Sequence, residues 1–238
     1  MELEIKCLAI IPARGGSKRI KRKNVREFCG KPIIYYSVNA AVGSGIFKEV
    51  MASTDDAEIA SAAESFGARV PFFRSVEKSN DNATLAEVAL EVIGAYEAEG
   101  RFFDYVCMIL PTAPFIGAKI IAETFAGIAG GGYDSLFPVV RFSCPIYRAL
   151  DFAGGKVSMI WPENINKRSQ DLKPAFHDAG QFYWINVKSF KEQKKIFMAN
   201  SSAVELPETL VQDIDSEVDW KIAEIKYKTF IGVNEDEK

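Results

Sequence analysis

Short apolar runs alternate along the chain with longer stretches in which apolar residues recur every three or four positions. The run Cys7–Pro12 predicts a buried strand. Pro32, followed by Ile33, Ile34, Val38 and Ala41, predicts a helix with the proline in its first turn. A second short strand is expected at Glu49–Ser53, then a helix from Asp56 through Phe66 stopped by Gly67, then a third strand at Val70–Phe73. Leu85, Val88, Ala89, Val92 and Ile93 mark one side of a helix from Thr84 towards Ala98. Tyr105–Leu110 is a strongly apolar strand closed by Pro111 and Pro114; residues 118–128 form another helix before Gly130, Gly131 and Gly132, and Ser135–Val140 another strand. Strands alternating with helices imply an α/β fold whose parallel sheet is covered on both faces, with ligands bound outside the carboxyl ends of its strands.

After Val140 the rhythm changes. Residues 141–187 hold aromatic and turn residues (Phe142, Tyr147, Phe152, Gly154, Gly155, Trp161, Pro174) with little helical periodicity, and predict short strands in a protruding arm. An insertion with exposed aromatics suits contact with another subunit. Helical character returns at Ser189–Met198 and Val218–Tyr227, and Glu235–Lys238 reads as a frayed tail.

The 238 residues, 48% of them hydrophobic and 26% charged, suffice for a sizeable globular core. No apolar run reaches the roughly 18 residues that span a bilayer, and Glu2, Glu4 and Lys6 break up any secretory leader, so a cytoplasmic protein without membrane contact is expected. Four cysteines lack pair spacing, which fits a reducing compartment and argues against structural zinc. The net charge of -3 hides one asymmetry: Arg14, Lys18, Arg19, Lys21, Arg22, Lys23 and Arg26 crowd a single segment. A solvated loop or a nucleic-acid patch would look similar, but the cluster opens inside a glycine turn after a strand and the rest of the chain is mildly acidic. A small polyanion is therefore favoured over nucleic acid.

The loop Ala13-Arg14-Gly15-Gly16-Ser17-Lys18 has the composition of a phosphate cradle, with glycines that admit an anion to backbone N–H groups and cations that neutralise it. Its spacing matches neither the Walker A motif nor the dinucleotide fingerprint. Asp213 and Asp215, two apart, put both carboxylates on one face of an extended segment, a pair suited to Mg²⁺ with phosphate oxygens and water. Ser216 with Asp219 three residues later also reads as a helix cap, which leaves those two acids free. Asp56, and Asp55 before it, sit where an N-cap is expected. His177, the one histidine, cannot build a histidine metal cluster. Tyr35, Tyr36, Phe72 and Phe73 read as core or pocket wall.

The run Ile11–Ile20 with Lys23-Asn24 and Gly30-Lys31-Pro32 resembles the opening of the sugar-acid cytidylyltransferases, which activate sialic acid and its relatives with CTP. Ser53–Ala60, Phe73-Arg74, Leu110–Phe115 and Asp213–Asp219 resemble further family segments, in order, over nearly the whole chain. Within the family, His177–Trp184 and Asp219–Glu224 are most similar to the branch acting on pseudaminic acid. Leu110 departs from the glutamine that sialic acid enzymes usually place near the sugar. The resemblance implies a single Rossmann-like domain over 1–238, with 141–187 as a dimerisation and acceptor-site arm and a homodimer as the assembly. It implies nucleotide contacts along Ala13–Lys18, with Arg14, Ser17, Lys18 and Lys23 on the CTP triphosphate, Asn24 on the ribose and Arg74 on the cytosine. The loop from Ser79 to Thr84 would line the pocket, Asp213 and Asp215 would hold Mg²⁺, and Leu110, His177, Gln181 and Tyr183 would face the sugar. Arg14, Lys18, Lys23 and Asp215 would carry the catalysis. Legionaminic, sialic or 3-deoxy-octulosonic acid, a sugar phosphate, or a non-catalytic role in binding nucleotide or RNA stay open as alternatives.

Overall fold

The run Cys7–Pro12 forms β1, and a strand apolar on both sides has to lie inside a doubly covered sheet. The computed structural model describes residues 5–232. After β1 come the two-residue strands β2 (Glu27–Phe28) and β3 (Lys31–Pro32), then α1 (Ile34–Ser44), β4 (Glu49–Ser53), α2 (Ala57–Ser65), α3 (Leu85–Ala98), β5 (Tyr105–Ile109), α4 (Ala118–Gly131) and β6 (Ser135–Arg141). The second half contributes β7 (Leu150–Ala153), β8 (Lys156–Met159), β9 (Phe176–Asp178), β10 (Phe182–Asn186), α5 (Val187–Gln193), β11 (Ser201–Glu205) and α6 (Glu217–Phe230).

The central sheet runs β11-β6-β10-β5-β1-β4. Strands β4, β1, β5, β6 and β11 are mutually parallel, whereas β10 is antiparallel to both its neighbours and β9 antiparallel to β6. Alternate strand residues feed two cores. Ala9, Ile11, Cys107, Ile109 and Trp184 meet α1, α2 and α4 on one face; Leu8, Ile10, Met108, Tyr183 and Ile185 meet α3 and α5 on the other. A third cluster lies off the sheet. In it Trp220, Ala223 and Tyr227 of α6 pack with Ile20, Phe28, Ile33, Phe115 and Ile214, tying the basic segment after β1 to the segment before α6. Phe28 meets the rings of Tyr36, Trp220 and Tyr227 edge-on, at centroid distances of 5.5, 5.6 and 5.5 Å.

Several sequence-based expectations need correction. Val70–Phe73 is not a strand. Arg69 exchanges hydrogen bonds with Val50 and Ala52 of β4, at 2.8 and 2.9 Å, but Pro71 has no N–H and the next backbone anchor is Arg74 to Thr54, at 2.8 Å. Pro32 is not in the first turn of α1: it pairs with Glu27, across a turn in which Cys29 and Gly30 both have positive φ, 47° and 91°. The helix 118–128 continues through Gly131 and ends at Gly132, φ 64°. The helix expected at Ser189–Met198 starts at Val187, capped by Asn186, and stops where Lys194 turns left-handed at φ 53°. Strand β11 was not foreseen, and β10, expected among the short strands of the arm, joins the central sheet instead. The chain from Phe176 to Asn186 follows β6 as one strand interrupted at Gly180, φ 62°, and the end of what reads as arm, Phe182–Asn186, is thus sheet interior. The rest of 141–187 does protrude: β7 and β8 form a hairpin turned on Gly154 and Gly155, with Leu150, Phe152 and Val157 exposed. The tail Glu235–Lys238 lies outside the described residues. No helix among the described residues is long and apolar enough to cross a membrane.

Candidate active site

Strand β1 delivers its loop to the carboxyl edge of the sheet. Ala13 is buried and its N–H donates to the Ser53 carbonyl of β4, at 2.9 Å. The two glycines that follow do different things. A Cβ on Gly15 would come within 2.7 Å of Asp56 Oδ2 and 2.9 Å of Asp56 Cβ, so this position requires glycine; a Cβ on Gly16 would meet nothing within 4 Å. The Gly15 N–H, expected to face an anion, donates to Asp55 Oδ1 at 2.8 Å. Asp56 is the N-cap of α2, accepting from the N–H groups of Glu58 and Ile59, and it also takes Arg22 in a two-pronged pair at 2.6 and 3.2 Å.

The basic segment therefore does not present an open cationic face. Arg14 and Lys18 converge on Asp81, at 2.7 and 2.5 Å, and Arg19 and Lys23 on Asp215, at 2.7 and 3.7 Å. Arg22 pairs with Asp56 and Glu58, while Arg26 pairs with Glu217 at 2.6 Å and lies over the Trp220 ring. Burial of Ile20 and Ile214 in the third cluster brings the two loops together. Lys23 Nζ donates to the Ile214 carbonyl at 2.7 Å, and Asn24 Nδ2 to the Arg14 carbonyl at 2.9 Å. Because Ile214 points inward, Asp213 and Asp215 on either side of it are left towards solvent. Ser216 and Asp219 form the capping box of α6, so the helix start does not consume either acid.

A cavity of about 440 Å³ opens here, lined by Pro12, Arg14, Ser17, Lys18, Arg19, Lys23, Asn24, Asp81 and Pro111. Five of these, Arg14, Ser17, Lys18, Lys23 and Asn24, are sequence-predicted nucleotide residues brought together as expected. Asp81, Arg19, Pro12 and Pro111 were not singled out, although Arg19 belongs to the basic run and Asp81 to the loop expected to line the pocket. Ser79 and Thr84 stay out of the lining: the Ser79 hydroxyl donates to the Ser75 carbonyl at 2.8 Å, and Thr84 caps α3 together with Glu87. Arg74 is buried, its Nε 2.9 Å from Ser53 Oγ and its guanidinium also on the Ser53 carbonyl, so it braces the loop after β4 instead of lining the cavity. A larger cavity of about 520 Å³ at the base of the arm brings together none of the predicted site residues.

The predicted sugar residues lie elsewhere on the sheet edge. Leu110 follows β5; its N–H donates to the Gln181 carbonyl and its carbonyl accepts from the Ser37 hydroxyl, at 2.8 and 2.7 Å. Gln181 is buried, with Nε2 on the Leu210 carbonyl at 2.6 Å. Tyr183 reaches Asp178 at 2.6 Å, and exposed His177 sits against Phe142. None of these four lines the smaller cavity.

Charge is unevenly balanced at the site. Burial pulls Lys23 below the ordinary lysine range against the attraction of Asp215, and burial brings Arg74 down to about 10. Desolvation and the negative charge of Asp215 push Asp213 up, the state of a carboxylate pair that gains from a cation. The described residues contain no group of three or more metal-ligating side chains. Two hard oxygen donors beside a phosphate-sized cavity still fit Mg²⁺, which takes one or two carboxylates and completes its shell with water and phosphate oxygens.

Residues 8–220 match the family model described as cytidylyltransferase. A pseudaminic acid cytidylyltransferase of Campylobacter jejuni subsp. jejuni serotype O:2 is 41% identical over 225 residues, covering 94% of this chain and 97% of that protein. A CMP-N,N'-diacetyllegionaminic acid synthase of Legionella pneumophila is 29% identical, covering 92% and 95%. Among solved structures, a CMP:2-keto-3-deoxy-manno-octonic acid synthetase complexed with CTP superposes with a TM-score of 0.66 at 17% identity, covering 94% and 99%, which shows the same Rossmann-like fold.

Proposed function

The chain belongs to the cytidylyltransferase family, and from that premise we propose that it activates pseudaminic acid with CTP, giving the CMP-sugar acid and pyrophosphate. The observation that supports the reaction most is a cavity lined by Arg14, Lys18, Arg19 and Lys23, the last two of which reach Asp215 beside it, where buried Ile20 and Ile214 join the two loops. In the reaction the anomeric hydroxyl oxygen forms a bond to the α-phosphorus, the bond to the bridging oxygen breaks, and the hydroxyl proton is lost. Negative charge grows on the departing pyrophosphate, so positioned cations matter more than a covalent nucleophile. Arg14 and Lys18 bind and orient the phosphates, Lys23 balances charge beside Asp215, Asn24 holds the ribose side of the loop, and Arg74 fixes the loop beside the base. Asp213 and Asp215 would hold Mg²⁺, which when bound polarises phosphate oxygens and favours the ionised hydroxyl.

Two alternative classes lose their footing on geometry. A nucleic-acid surface needs free cations, whereas most of the basic run faces acidic partners. Activation of a sugar phosphate needs a second basic cluster; Lys167 is held by Asn164, and Arg168 pairs with Asp171 at 2.8 Å. Another nonulosonic acid remains the second reading, favoured by the legionaminic relative. Pyrophosphate release with CTP and Mg²⁺, offered pseudaminic, legionaminic and N-acetylneuraminic acids separately, distinguishes them. Release with pseudaminic acid alone is expected, and release with another sugar alone would move the assignment to that sugar.

The exposed Leu150, Phe152 and Val157 on the β7–β8 hairpin support a homodimer built through the arm. Sedimentation should return twice the mass of the 26.4 kDa chain, and a monomer at micromolar concentration would remove that reading. The free cysteines and the use of CTP support a cytoplasmic setting; burial pushes the Cys7 thiol up to about 12, as for an inert core residue.

A further inference from the structure

The loop from Ser75 to Thr84 is braced along its length. Its start is held by the Ser75 N–H on Glu91 Oε1 at 3.0 Å, and its end by the Thr84–Glu87 capping box. Between them Asn80 Oδ1 accepts from the N–H groups of Asn82 and Ala83, at 2.7 and 3.1 Å. This turn presents Asp81 to the cavity, with Oδ1 on Arg14 at 2.7 Å and Oδ2 on Lys18 at 2.5 Å. A carboxylate with one oxygen on each of two cations imitates a phosphate group, and both cations hold its carboxyl below the usual carboxylate range. Its side chain is nonetheless 44% exposed.

The geometry points to Asp81 as the resident anion of the phosphate pocket: it holds Arg14 and Lys18 in the empty enzyme, yields them to the triphosphate, and reclaims them as pyrophosphate leaves. This inference rests on reading the cavity as a triphosphate site. Displacement of Asp81 lowers the affinity for any ligand that uses both cations, and its return competes with the leaving group on the same two donors. Asp81 thus trades phosphate affinity for release of product, and keeps two flexible side chains ordered between turnovers.

Calorimetric titration with inorganic pyrophosphate and with tripolyphosphate, in EDTA, compares wild type with Asp81→Asn and Asp81→Glu. Removing the charge should tighten both ligands roughly three- to tenfold, the scale expected for two exposed ion pairs, while Asp81→Glu stays near wild type. Equal or weaker binding by Asp81→Asn, with an unchanged thermal midpoint, would make Asp81 a structural or orienting residue and overturn the inference. If CTP and tripolyphosphate bind to none of the three proteins, the triphosphate reading itself fails and takes this inference with it.

Discussion

Asp215→Ala is expected to lose at least about 10²–10³-fold in turnover while remaining folded and still binding CTP in EDTA. The expectation follows from where the carboxylate stands. Asp215 is half-exposed, and its neighbours are Arg19 and Lys23 at 2.7 and 3.7 Å. Ile214, buried in the third cluster, anchors the segment and is untouched by the change, as is the Ser216–Asp219 capping box. Exposed ion pairs contribute little to stability, so the thermal midpoint should move by no more than about 2 °C. What disappears is half of the carboxylate pair that would hold Mg²⁺ at the phosphates. It also removes the Asp215 counter-charge from Arg19, leaving that cation to the nucleotide and favouring binding over turnover, while Lys23 keeps its bond to the Ile214 carbonyl. The diagnostic is therefore a split: CTP affinity without metal is kept or raised, whereas Mg²⁺-dependent pyrophosphate release is lost. Substantial release by Asp215→Ala would remove the metal assignment, and a large drop in thermal midpoint would make the residue structural.

How far the sequence exposes this site depends on whether a residue acts through local pattern or through packing. The strand, the glycine turn and the Ser216 cap are local, and each lies where the pattern places it. The pairing of the basic run with acids is not local. Arg19 with Asp215 meets through Ile20 and Ile214, unremarkable in sequence, which share a core with Trp220, and Arg14 meets Asp81 through a loop held by Glu91 and the Asn80 turn. Arg74 illustrates the opposite failure. The resemblance implies a base contact, whereas the guanidinium is turned inward onto Ser53 Oγ and the Ser53 carbonyl. Gly15 and Gly16 look equivalent as letters. The close approach of Asp56 makes the first indispensable, and among the described residues none crowds the second.

The run His177–Trp184, of which the resemblance implies that His177, Gln181 and Tyr183 face the sugar, is in part a core strand. Phe182, Trp184 and Ile185 are completely buried in β10, at the centre of the sheet. The interruption at Gly180 hides this, because it divides one extended segment into two short pieces, the first of them fully exposed.

Trp184→Ala is accordingly expected to cost about 3–5 kcal/mol of stability. The indole stacks on Phe47 at 5.2 Å with planes 15° apart, packs against Phe125 at 5.2 Å, and donates Nε1–H to Thr124 Oγ1 at 3.1 Å. Its partners come from the loop before β4 and from α4, so the side chain fastens the antiparallel strand to the helical layer on that face. Truncation leaves a cavity between elements already fixed by sheet hydrogen bonds on both sides of β10, where collapse is hard. The Thr124 hydroxyl keeps its bond to the Ile120 carbonyl, at 2.6 Å, so no buried donor is stranded and the penalty is mainly one of packing. For a domain of this size the loss corresponds to a fall of about 6–20 °C in thermal midpoint. Trp184→Phe keeps an aromatic surface against Phe47 and should recover most of it. Denaturant unfolding of both variants, alongside the KM for the sugar, separates the two roles. A stable Trp184→Ala enzyme with a raised sugar KM would place the residue at the acceptor site. A destabilised one with unchanged KM at low temperature places it in the core.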